Sequence, residues 1–200
     1  MRIAGVVLAA GAGRRMGAPK ALVRDEEGTA WVVRISRLVA AGGCEPVLVV
    51  VGAAAAQVTA ELSGEPVEVV EAADWEQGMG ASVRAALAAV DQAAMDRADA
   101  ALVVPVDVPG LTAAAVRRIA AKGGPDALVR AVYAGAPGHP VLLGRNHWSG
   151  VRDSAVGDQG ARTYLRDHPP TDVECADLAD GTDVDRAGQL PPGHHLTPRS

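Results

Sequence analysis

Apolar positions along the chain fall into two alternating patterns. Continuous apolar runs at residues 3–9, 47–51 and 100–106 carry the mark of strands buried on both faces, and residues 67–70 read as a further strand. Between them the apolar positions recur at helical spacing. Trp31, Ile35, Leu38 and Val39 share one face of a helix that Thr29 can cap and that Gly42 and Gly43 end. Residues 53–62 read as a short Ala-rich helix. Residues 82–94 read as a helix with Val83, Leu87 and Val90 on one side, and residues 112–121 as a capped helix. Strand-like runs follow at 127–133 and 140–143, then a helical run at 161–167 and a short strand at 173–175. This alternation predicts an α/β fold: three α/β/α layers, a mostly parallel sheet and right-handed crossovers. Residues 1–190 are expected to form one domain. Residues 191–200 show no periodicity and are expected to be a mobile tail.

Open sheets of this kind collect ligands at the carboxyl ends of their strands. The first predicted strand opens there into Leu8-Ala9-Ala10-Gly11-Ala12-Gly13-Arg14-Arg15-Met16-Gly17-Ala18-Pro19-Lys20. Glycines let backbone N–H groups approach an anion with no Cβ in the way. Arg14, Arg15 and Lys20 add three cations to Gly11, Gly13 and Gly17. The segment reads as a polyphosphate site, most simply one for a nucleoside triphosphate.

Two familiar phosphate loops do not fit. The dinucleotide fingerprint G-x-G-x-x-G needs its third glycine at position 16, where Met16 stands. It also runs directly into a helix, and Pro19 disfavours helical geometry at Ala18. The Walker A loop needs G-K-[ST], but Gly17 is followed by Ala18-Pro19-Lys20-Ala21, without the metal-binding hydroxyl. A long, open, basic loop remains.

Other chemistry-bearing segments also follow predicted strand ends. Asp107 lies in Pro105-Val106-Asp107-Val108-Pro109, an acid held between prolines at the edge of a sheet. Such an oxygen ligand suits Mg²⁺, which commonly joins one or two carboxylates to substrate phosphates. Gly52 ends the second strand. Gly78 and Gly80 precede a helix whose first turn holds Ser82, where N–H groups are available to a ligand. Two later segments, Gly138-His139-Pro140-Val141-Leu142 and Gly157-Asp158-Gln159-Gly160-Ala161-Arg162, form an ordered pair. Asp158 reads either as a second metal ligand or as a helix cap. Arg162 reads either as a contact for an anionic acceptor or as a partner of Asp158. His139 lines the acceptor site or packs beside its proline.

Composition narrows the picture further. The chain lacks Phe and its aromatic share is 2%, so Val, Leu, Ala and Ile must build the core. A net charge of −5 gives no overall field for nucleic acid or an anionic membrane, and neither is expected as a partner. Cys44 and Cys175 form no C-x-x-C pair and are expected to be free thiols in a cytoplasmic protein. No apolar stretch reaches the length of a membrane span. No serine sits in a nucleophile-elbow context, and the remaining histidines lack metal-ligand spacing.

The pattern L-A-A-G-x-G-x-R-M-G-x-x-K resembles the signature of nucleotidyltransferases that activate molybdopterin and sugar phosphates. Ala9-Ala10-Gly11, with the His139 and Asp158 segments, is most similar to the molybdenum cofactor cytidylyltransferases; the guanylyl branch usually has Ala-Gly-Gly. The resemblance implies a Rossmann-like nucleotidyltransferase fold, with nucleotide bound by the N-terminal part and acceptor by the C-terminal part. It implies Mg²⁺-dependent transfer of CMP from CTP to a molybdopterin-type acceptor, with Asp107 as metal ligand. Arg15 and Lys20 would stabilise the leaving phosphates, while the Leu8–Ala10 backbone approaches the base. A molybdoenzyme or a maturation chaperone is the macromolecular partner it suggests. Two other readings stay open: transfer to a different phosphorylated acceptor, and an NAD(P)H-dependent oxidoreductase reusing the fold.

Overall fold

The computed structural model describes residues 1–92 and 98–196. Seven strands form one sheet: β1 (Ile3–Leu8), β2 (Val47–Val51), β3 (Glu68–Glu71), β4 (Ala100–Pro105), β5 (Leu128–Tyr133), β6 (Ala136–Gly144) and β7 (Thr171–Glu174). Their spatial order is β3-β2-β1-β4-β6-β5-β7. β3, β2, β1 and β4 run parallel, as do β5 and β7. β6 runs against both of its neighbours. The expected mostly parallel sheet is found, with β6 as its reversed member.

The apolar runs sort by alternation onto the two faces. Ile3 and Val7 of β1, Val47, Val49 and Val51 of β2, and Leu102 and Val104 of β4 face one core. That core receives Trp31, Ile35 and Val39 of α1 (Trp31–Ala41) and Val116 and Ile119 of α4 (Ala113–Ala120). Val58 of α2 (Ala55–Glu61) joins them. Ala4, Val6, Leu8, Leu48, Val50 and Val103 face the other side. There they meet Val83, Leu87 and Val90 of α3 (Met79–Asp91), Trp148 and Val151 of α5 (Trp148–Ser154) and Leu165 of α6 (Arg162–Asp167). The three α/β/α layers are therefore present.

Several local expectations are corrected. Thr29 does not cap α1; Ala30 holds that position with no side-chain cap. The Thr29 N–H donates to Asp25 Oδ1 at 2.8 Å, which also accepts from the Glu27 N–H. α3 begins three residues early, at Met79, because Gly78 takes φ +98° and opens the turn. The predicted end of that helix, residues 93–94, lies outside the described residues. Thr112 does cap α4, its Oγ1 accepting from the Ala115 N–H at 3.2 Å. Residues 191–196 are not a free tail: Arg24 and His195 exchange two backbone hydrogen bonds at 2.9 Å, and Trp31 Nε1 donates to His194 Nδ1. Residues 197–200 of the expected tail lie outside the described residues.

Candidate active site

β1 ends at Leu8 and the chain enters the glycine loop. Ala9 stays tied to β2, its N–H donating to the Val50 carbonyl at 2.9 Å. The Ala10 carbonyl accepts from the Ala53 N–H at 3.0 Å, which sets Gly52 beside Ala10. A Cβ at Gly52 would fall 2.8 Å from the Ala10 oxygen and 2.7 Å from Trp75 Cβ, so only glycine fits between them. Gly11 faces open space, with nothing within 4 Å of a Cβ placed there. Among the described residues, the N–H groups of Gly11, Ala12 and Gly13 have no hydrogen-bond partner within the chain. These donors can therefore serve an anion.

The far side of the loop is fixed tightly. Gly13 takes φ +61°, and its carbonyl accepts from the N–H groups of Met16 and Gly17 at 3.0 and 2.8 Å. A Cβ at Gly13 would overlap the Ala18 carbonyl oxygen at 1.8 Å. Gly17, at φ +87°, completes the turn. Met16 is buried and anchors the loop in the core, while Arg14 and Arg15 stay exposed. Arg14 makes no ion pair among the described residues.

Lys20 reaches back across the strand ends. Its Nζ lies 2.7 Å from Asp107 Oδ2 and 2.6 Å from Asp185 Oδ1. Arg15 holds the other oxygen, Asp185 Oδ2, at 2.8 Å. Burial disfavours the charged lysine, but the hydrogen bonds to Asp107 and Asp185 outweigh it and raise the Lys20 pKa. The Lys20 hydrogen bond in turn lowers that of Asp185. Asp185 belongs to none of the sequence motifs. It arrives because residues 180–184 lie along the Asp107 turn: the Val184 N–H donates to the Asp107 carbonyl at 2.9 Å, and the Asp180 N–H to that of Gly110. Alternation of Asp183 and Asp185 around buried Val184 was the available signal, and it names no partner.

Asp158 is not among the ion-pair partners of Lys20 in the described residues. Its Oδ1 would sit 2.4 Å from a Cβ on Gly78, so the Gly157–Asp158 turn packs against the entry to α3. Asp158 does not cap α6, whose N-cap is Ala161, and among the described residues it makes no ion pair with Arg162. Ser82 is buried within α3. His139, at the start of β6, lies within electrostatic reach of Asp107, Asp183 and Arg162. Burial lowers its pKa, opposed by Asp107, the Val103 carbonyl and Asp183 and assisted by Arg162. Its Nδ1 is buried without a hydrogen-bond partner. The His139 carbonyl accepts from the Tyr133 hydroxyl at 2.6 Å.

The site thus brings Arg15, Lys20, Asp107 and Asp185 to one point, with His139 within electrostatic reach of Asp107. Asp107 and Asp185 present two hard oxygen donors to a common cation position. That donor set fits a divalent ion whose remaining ligands are phosphate oxygens and water. Among the described residues no group of three or more His, Cys, Asp or Glu side chains converges on a metal position. No helix among them is long and apolar enough to cross a membrane.

Residues 5–173 match the model of the MobA-like NTP transferase domain. The chain is 35% identical over 198 residues to the nicotine blue oxidoreductase of Paenarthrobacter nicotinovorans, covering 94% of each chain. It is similar to the structure of Rv0371c from Mycobacterium tuberculosis H37Rv, with a TM-score of 0.77, 29% identity and 93% of each chain covered. A manganese complex of Rv0371c matches with a TM-score of 0.66 and 30% identity over 87% of this chain and 88% of that one. The chain belongs to the family of the MobA-like NTP transferase domain and is a nucleotidyltransferase by that membership.

Proposed function

We propose that the protein transfers CMP from CTP to the terminal phosphate of a molybdopterin-type acceptor, with Mg²⁺ and with release of pyrophosphate. The observation that carries this reading is the convergence of Lys20, Arg15, Asp107 and Asp185 at the open end of the glycine loop. An acceptor phosphate oxygen forms a bond to the α-phosphorus while the bond to the β-phosphate oxygen breaks. The nucleophile is already an anion, so no strong base is needed. The burden is positioning and charge neutralisation.

N–H groups of Gly11, Ala12 and Gly13 would cradle the triphosphate. Lys20 and Arg15 would take the charge that grows on the leaving pyrophosphate. Asp107 and Asp185 would hold Mg²⁺, which when bound shields the phosphates and polarises the α-phosphorus. Asp185 replaces Asp158 as the second proposed ligand, because it shares Lys20 with Asp107. Gly52, beside Ala10, would border the base, and Gly78 and Ser82 would shape the same wall. His139 and Arg162 would face the acceptor. A molybdoenzyme or a maturation chaperone in the cytoplasm would then receive the product.

A second reading has its own support. The relative at 35% identity over 94% of both chains is named as an oxidoreductase acting on nicotine blue. On that reading the loop would hold the pyrophosphate of NAD(P)H, and the compound to be reduced would occupy the acceptor side.

Calorimetry with CTP, GTP, CMP and NADPH, each with Mg²⁺, separates the two. The transfer reading expects CTP to bind well above CMP and above GTP, followed by pyrophosphate release with a phosphorylated acceptor. NADPH binding with no CTP binding overturns it in favour of the reductase.

A further inference from the structure

We propose that Lys20 is a resident counter-cation of the metal position: it competes with a divalent ion for Asp107 and Asp185, and a triphosphate relieves that competition. The inference rests on the reading of Asp107 and Asp185 as the metal-holding pair.

The geometry makes Lys20 more than a phosphate contact. Its Nζ lies within 2.7 Å of both carboxylates at once, so one unit charge bridges two acids. The three side chains are only 16%, 18% and 28% exposed, so water screens the bridge weakly. A dication bound to the same two oxygens draws on the charge that holds the ammonium, and the two cations repel, so they compete for the pair. The competition eases when Lys20 turns to another anionic partner.

The chain supplies the means for that exchange. The Lys20 stem is flexible and its ammonium makes no fixed planar fork. The N–H groups of Gly11 to Gly13, without partners among the described residues, mark where the alternative anion would bind. Arg15 grips Asp185 through the other carboxylate oxygen, so Asp185 stays oriented when Lys20 leaves. The divalent ion and the triphosphate therefore help each other to bind, and the coupling is reciprocal. Such coupling keeps the site from filling with metal when no nucleotide is present.

The test is a Mn²⁺ titration of the full-length chain, followed by the electron paramagnetic resonance of free Mn²⁺, without nucleotide. Wild type should bind Mn²⁺ weakly. Lys20→Met should bind it at least about tenfold more tightly, and the double variant Lys20→Met/Asp107→Asn should lose that gain. Lys20→Gln, which keeps a polar head, serves if Lys20→Met folds poorly by circular dichroism. Calorimetry of CTP with and without Mn²⁺ should show a larger metal effect in wild type than in the lysine variants. Unchanged Mn²⁺ affinity in a folded lysine variant overturns the proposal. A tenfold Mn²⁺ gain with no CTP binding to any variant supports the resident cation and removes the cytidylyl reading instead.

Discussion

The Trp31 indole N–H donates to His194 Nδ1 at 3.0 Å, joining positions 163 residues apart. The two rings also meet edge to face at 5.7 Å. Because Nδ1 must accept, His194 has to be neutral there. Burial and the nearby Arg34 lower its pKa, against Asp25 and Glu26. A histidine with a depressed folded pKa gives stability that is complete above its ordinary value of 6.5 and is lost as pH falls through the folded value.

The first prediction concerns this contact. His194→Ala should lower stability by about 0.5–1.5 kcal/mol, a hydrogen bond's worth, or a few degrees of melting temperature. The difference from wild type should shrink as pH falls below 6.5. Thermal melts of both proteins across pH 5–8 (about one and a half units either side of the histidine range) check it. A pH-independent difference would remove the neutral His194 from the account.

Gly13→Ala should disable the loop. The new Cβ would have to displace the Ala18 carbonyl and adopt φ +61°. Strain of this kind costs about 1–3 kcal/mol. The turn and Pro19 carry the displacement to Lys20, so CTP binding should fall while the sheet stays folded. Gly11→Ala meets nothing within 4 Å and should be better tolerated by the fold. Paired melting curves and CTP titrations compare the two.

Asp185→Asn should weaken Mg²⁺-CTP binding to an extent comparable with Asp107→Asn, by about 1.5–3 kcal/mol for a lost charge-assisted contact. Asp158→Asn should change it little, because Asp158 packs at Gly78 rather than at Lys20. Calorimetry on the three variants ranks them. Equal losses in Asp158→Asn and Asp107→Asn would restore Asp158 as a ligand.

Glu174 gathers four backbone donors: Ala134, Cys175 and Ala176 on Oε1 and Gly135 on Oε2. The Ala176 N–H leads in lowering its pKa, with the others assisting against desolvation. A carboxylate with a depressed folded pKa stabilises above its unfolded value near 4.5 and loses that contribution as pH falls further. Glu174→Gln should therefore melt lower than wild type at neutral pH, and the gap should close in acid. Melts at pH 7 and pH 3.5 (about one unit below an ordinary glutamate) provide the comparison.

Sequence periodicity carried the centre of the sheet because β1, β2 and β4 alternate between two cores; Val6 and Val7 go to opposite sides, while β3 and β7 at the edges are mostly exposed. It also located the glycine loop, Lys20 and Asp107, each of which depends on local chain geometry. Asp185 and the seating of His194 depend on contacts spanning 165 and 163 residues. Neither leaves a local period in the sequence. Thr29 illustrates a different limit: the helix starts one residue later than its capping signal suggests, with Ala30 at the cap position.

The reversal of β6 has a consequence for how such a chain can diversify. A strand running against its neighbours begins where they end, so His139 enters the mouth at the start of β6 while Asp107 enters just after the end of β4. The hairpin joining β5 to β6 turns through Ala134 and Gly135, both at positive φ, on that same rim. Lengthening this turn adds surface opposite the glycine loop without shifting the register of β1, β2 or β4. It is a natural grafting point: a descendant could acquire a new second substrate there and keep its phosphate-handling half intact.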